Sequence, residues 1–133
     1  MREIKFRGKD LLIGEWRYGY LHLPDGGDNL MIQVDNYNSF GVIPATIGQY
    51  TGLKDKNGKE IYEGDIIRSY DSENNPIIHY IHWHNSNACY VAIMPQYSCI
   101  CSIVTKNWIE EYDKEIIGNI HDNPELIKKE EKS

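Results

Sequence analysis

The sequence has no long apolar run. Nothing in its 133 residues approaches the roughly 20 consecutive apolar residues that a spanning helix needs, so no membrane is expected. The opening Met-Arg-Glu-Ile-Lys-Phe-Arg also lacks the apolar segment of a secretory leader, which points to a cytoplasmic protein. Cysteine is scarce and odd in number: Cys89, Cys99 and Cys101 read as free thiols of a reducing compartment rather than a disulfide framework. Positive charge is short as well. Fourteen Lys and Arg face twenty Asp and Glu, for a net charge of -6, and a chain of that sign repels a polyanion unless a local face is basic. A phosphate-cradling loop is missing too, because Gly26-Gly27 has neither the following lysine nor the helix.

What is present describes a sheet protein. Ten Tyr stand against two Phe, and turn-forming Gly, Asn and Asp punctuate β-branched and aromatic runs. Alternation predicts strands at residues 4–7, 16–23, 30–34, 40–43, 66–70, 77–84, 88–94, 99–104 and 115–120. Asn57-Gly58 between two lysines predicts a tight turn, with Leu53 on one side and Ile61-Tyr62 on the other as its apolar anchors. The segment around Asn107-Trp108-Ile109 reads as a loop or helical turn. Asn123-Pro124 reads as a helix start, with Asn as N-cap, and the residues after it as a frayed tail.

Four polar groupings could carry chemistry. His82 and His84 share one strand face, with His79 on the other beside Ile81 and Trp83, and Cys99 and Cys101 would share a face of their own. Two His and two Cys can hold zinc tetrahedrally, so His82, His84, Cys99 and Cys101 are the candidate metal ligands. Their spacing matches no finger or ribbon, and half-buried histidines on an amphipathic strand are the preferred reading. A cysteine paired with a histidine could act as a nucleophile, but buried cysteine is more often a small hydrophobe. Glu60, Glu63 and Asp65, and Glu110, Glu111 and Asp113, lie beside Lys56, Lys59 and Lys114 and read as solvated turns. Basic residues gather only near the start, where Lys5, Arg7 and Arg17, with Arg2 and Lys9, are the candidate nucleic-acid contacts. Trp16, Tyr18 and Tyr20 alternate beside them, as a stacking platform if exposed and as core or subunit interface otherwise.

Three stretches resemble the YopX family of phage and prophage proteins. The first is Ile4-Lys5-Phe6-Arg7-Gly8-Lys9 with Trp16 and Tyr18-Gly19. The second runs from Thr46-Ile47-Gly48-Gln49-Tyr50-Thr51-Gly52-Leu53 through Asp55-Lys56-Asn57-Gly58 to Ile61-Tyr62-Glu63-Gly64-Asp65-Ile66. The third is Ile116-Ile117-Gly118-Asn119-Ile120 with Asn123-Pro124-Glu125-Leu126. The resemblance implies a mainly β fold, a phage-related origin in a bacterial host cell and a tendency to oligomerise. It brings no catalytic residue and no cofactor. The expected architecture is all-β, in two small units: residues 1–50, and an SH3-like barrel over 51–122, followed by a short helical turn over 123–133. The expected function is that of a non-enzymatic accessory protein acting through self-association and contact with another protein. The alternative is a nucleic-acid-binding module that uses the barrel and the basic N-terminal strand.

Overall fold

A computed structural model describes residues 3–27 and 29–128; Arg2 and residues 129–133 of the frayed tail expected over 126–133 lie outside them. The chain is mostly β, with antiparallel sheets and one short helix, and divides into two compact units, Met1–Gly52 and Leu53–Ser133.

The first unit builds an antiparallel sheet from β1 (Phe6–Lys9), β2 (Trp16–His22), β3 (Met31–Gln33), β4 (Ser39–Gly41) and the start of β5 (Gly48–Lys54), in the order β4-β3-β2-β1-β5. β1 begins two residues later than the alternation suggests and carries on through Gly8 and Lys9, which pair with Arg17 and Trp16. Gly8 belongs in the strand because a β-carbon there would press within 3.0 Å of Val42. The turn that follows is made by Asp10, whose carboxylate accepts the Leu12 and Ile13 amides at 2.7 and 3.3 Å. Gly19 is required more strictly, since its β-carbon would fall 2.0 Å from the Gln33 carbonyl oxygen on the neighbouring strand. The core of this unit is thin. Ile32, Val42 and Tyr50 are its buried large apolar side chains, alongside buried Arg7, Asp10 and Thr46.

β5 hides in the sequence because two glycines interrupt its alternation, yet its residues pair with β1 before it runs on into the tight turn. The second unit takes up that turn and continues through β6 (Glu60–Tyr62), β7 (Asp65–Tyr70), β8 (Pro76–His84), β9 (Cys89–Met94), β10 (Cys99–Ile103), helix α1 (Lys106–Glu110) and β11 (Glu115–Asn119). Its five-stranded antiparallel sheet has the order β10-β9-β8-β7-β11. Ile61, Ile67, Ile81 and Ile109 form the core, with Leu53, Tyr90, Val104, Trp108 and Ile116 packed around them. The alternation that put Ile81 and His79 on one face of β8 and His82 on the other is realised: the first two are buried and His82 is exposed. Helix α1, the helical turn of the two readings of this segment, starts where the Thr105 hydroxyl accepts the Trp108 amide at 3.1 Å as an N-cap.

The stretches that carry the family resemblance are structural joints. Asp55, 7% exposed, accepts the Asn57 and Lys59 amides through Oδ1 and the Ile116 amide through Oδ2, each at 2.9 Å, so one carboxylate holds the tight turn and anchors β11 to it. The Ile120 amide donates to the Gly64 carbonyl at 2.9 Å, tying the closing stretch to the middle one. One expectation is corrected. The Asn123 side chain does not cap the 3-10 turn at Pro124–Ile127; its Oδ1 accepts the Asn119 amide instead, at 3.2 Å. Gly118 makes this possible, because a β-carbon there would sit 2.3 Å from that oxygen.

Candidate functional site

The inner face of the second unit's sheet is not fully covered. Between it and the α1 segment lies a cleft of about 420 Å³, whose lining includes Ile77 and His79 from β8, Met94 from β9, Cys101 from β10, Trp108 from α1 and Lys114 after it. Ser69, Asp71, Glu111 and Tyr112 are among the other polar residues of its wall.

Two groups at its base are unusual. His79 is 5% exposed, stands edge-on to Trp108 with ring centroids 5.3 Å apart, and its buried Nδ1 has no hydrogen-bond partner. Burial, reinforced by the positive charge of Lys114, lowers its pKa to about 4, so the ring is neutral near pH 7. Lys114 is 3% exposed. Its ammonium donates to the Glu111 carbonyl at 2.7 Å and lies 4.5 Å from the centre of the Trp108 ring. Burial lowers its pKa as well, against the opposing pull of the Glu111 carboxylate. The backbone bends sharply to bring this lysine inward. Tyr112 and Asp113 both take left-handed conformations, with φ of 57° and 50°, a geometry that costs about 1–2 kcal/mol per non-glycine residue.

The candidate metal ligands are not brought together. His82 is exposed opposite Val91, His84 is half-buried opposite Cys89, and Cys99 is exposed opposite Met94. A bulge between Ile100 and Ser102 breaks the alternation that would have put Cys99 and Cys101 on one face, and Cys101 turns to the cleft. Among the described residues no group of three or more His, Cys, Asp or Glu side chains is gathered to hold a metal ion. Cys101 and His79 do share the cleft, without a hydrogen bond at Nδ1. Two of the carboxylates singled out in the sequence bind backbone: Asp65 accepts the Tyr62 amide at 2.7 Å and Glu63 the Trp83 amide at 3.2 Å.

The basic residues of the first unit turn their charge inward. Arg7 is 5% exposed, with its guanidinium 4.7 Å from the Trp16 ring centre. Arg17 holds Asp10 at 3.1 Å and stacks 3.8 Å over the Phe40 ring, and Lys9 reaches Trp16 at 5.8 Å. Lys5 is half-buried. Tyr18 and Tyr20 are exposed on the same strand.

Sequence reasoning placed His79 on the strand face of Ile81 and Trp83 but passed over Lys114 as one more turn lysine. Its flanks, Asp113 and Glu115, make it look solvated, and nothing local signals burial. Among the described residues no helix is long and apolar enough to cross a membrane.

A family model described as YopX protein matches residues 5–128. The crystal structure of protein EF1440 from Enterococcus faecalis is similar in fold, with a TM-score of 0.63 at 23% identity, covering 96% of this chain and 100% of that one. No curated protein matches the chain.

Proposed function

We propose, for a chain that belongs to the YopX protein family, a non-enzymatic role as a phage- or prophage-encoded accessory protein. It works in the bacterial cytoplasm through contact with further copies of itself and with another protein. The observation that carries this reading is the apolar surface both units leave open. Leu12 is 92% exposed, Ile13 61%, Tyr20 69% and Tyr37 93%, while the first unit buries few large apolar side chains. On the second unit, Ile100 and Ile103 of β10 are 47% and 58% exposed along a sheet edge. Open edges and tyrosine-rich faces are the surfaces that subunit interfaces cover.

The Leu12–Ile13 tip is a preorganised contact. Asp10 accepts both of their amides and is itself held by Arg17, so the two side chains are presented on a fixed turn. The strand arrangement of the second unit supports an SH3-like reading by analogy of fold: a meander from β7 to β10, a helical turn, and β11 returning beside β7.

The test is native mass spectrometry of the untagged protein with a Leu12→Asp/Ile13→Asp variant alongside. A homo-oligomer that falls to monomer in the variant, with an unchanged circular dichroism spectrum, is expected. A wild-type monomer at high micromolar concentration would refute self-association. A co-purifying nucleic acid would bring forward the alternative reading, with Lys5, Arg7 and Arg17 as its first residues to mutate.

A further inference from the structure

Burying an ammonium group is costly unless a counter-charge or several hydrogen bonds compensate it. Lys114 has one backbone carbonyl and two aromatic faces, Trp108 at 4.5 Å and Tyr112 at 5.7 Å. Among the described residues no carboxylate lies within ion-pair distance of it. The His79 ring stands edge-on to the same Trp108, with its Nδ1 buried and unbonded. Both groups line one cleft that opens to solvent. A buried ammonium whose opposing charge, the Glu111 carboxylate, stays beyond ion-pair distance, on the wall of an open and largely apolar cleft, describes an anion's place.

The rest of the lining narrows the chemistry. Glu111 and Asp71 are also on the wall, and their charges would oppose a phosphate dianion while tolerating a single negative charge. Ile77, Met94, Trp108 and the Tyr112 ring form an apolar surface beside the charged end, suited to a flat or aliphatic body. The volume, about 420 Å³, is in the range of small-ligand pockets. The left-handed Tyr112 and Asp113 fit the same view, because that strained bend is what carries Lys114 under Trp108.

We propose that this cleft binds a small organic monocarboxylate with an aromatic or apolar body. Its carboxylate accepts from the Lys114 ammonium, and its body lies against Trp108, Met94 and the edge of the His79 ring. The site is separate from the apolar tip of the first unit, so its fate does not decide the self-association reading.

The experiment titrates the full chain with cinnamate and 3-phenylpropionate, and with their carboxamides as neutral twins, following the assigned Trp108 indole and His79 ring signals by NMR. The acids should shift both signals saturably at low millimolar concentration, and the amides should not. Lys114→Met, close in volume, should weaken the acids by about tenfold or more, the scale of one hydrogen bond to a charged group. Amides binding as well as acids, no binding by either acid, or shifts confined to residues outside the cleft would each overturn the proposal. The acid–amide comparison is made on the wild-type chain, so it decides the matter even where the lysine variant does not fold.

Discussion

The neutral imidazole of His79 makes stability depend on pH in a window that can be worked out. An unfolded histidine titrates near 6.5, and this one near 4 when folded. Between those values the unfolded chain binds the proton and the folded chain does not, so acidification favours unfolding. The contribution is intact above pH 6.5 and is lost progressively as pH falls towards 4. Integrating over that window gives a loss of about 2 kcal/mol from pH 7 to 5, rising to about 3 kcal/mol at pH 4. The charged or titratable groups that share the cleft with the ring are Lys114, Glu111, Asp71, Cys101, Tyr70 and Tyr112, and Lys114 adds to the penalty on a second positive charge. Asp10, Asp35, Asp71 and Glu115, all with lowered pKa values, bring their own acid dependence at lower pH. The measurement is therefore a difference: urea unfolding of wild type and of His79→Phe at pH 7, 6 and 5. Groups common to both proteins cancel. Phenylalanine keeps the edge contact with Trp108 and removes the unbonded nitrogen, so at pH 7 the variant should be about as stable as wild type. At pH 5 it should be the more stable by about 2 kcal/mol. Parallel curves would show that the imidazole is not held neutral, and the account of the cleft would fail with it.

Asp55→Ala should destabilise the protein by about 3 kcal/mol, because three backbone amides, one of them on β11, lose their acceptor; equilibrium denaturation measures it. Gly118→Ala should lose about 1–2 kcal/mol by pushing Asn123 off the Asn119 amide, and hydrogen exchange at Asn119 should rise with it. Thr105→Ala removes the cap of α1 and should reduce stability by about 1 kcal/mol, while Thr105→Ser should restore most of the loss.

Strands were legible where side chains alternate without interruption. β8 is the clearest case: Ile77, His79, Ile81 and Trp83 fall on one side, and the sheet uses that side as its inner face. β5 was hard to read because Gly48 and Gly52 carry no side chain to mark a face, and its pairing is specified by the backbone of β1 instead. The tight turn at Asn57-Gly58 was plain from its residue types, but the carboxylate that holds it to Ile116 spans 61 residues and has no local signature. The cleft follows the same logic. His79 and Lys114 meet around Trp108 only after the α1 segment folds over the sheet, and the bend that buries Lys114 uses left-handed Tyr112 and Asp113, which no residue preference announces.

The bulge in β10 has a bearing on how large an assembly can grow. An open strand edge is a template that recruits strand after strand, and a straight one can seed a fibre. Here Cys99 and Ile100 pair in one register with β9, and Ser102 and Ile103 in another, with Cys101 left over between them. An incoming strand therefore finds two short runs set at an angle, never one continuous rail. If the chain self-associates as proposed, contact along this edge should stop at a small closed number of chains, and deleting Cys101 should straighten the rail and yield longer polymers by size-exclusion chromatography.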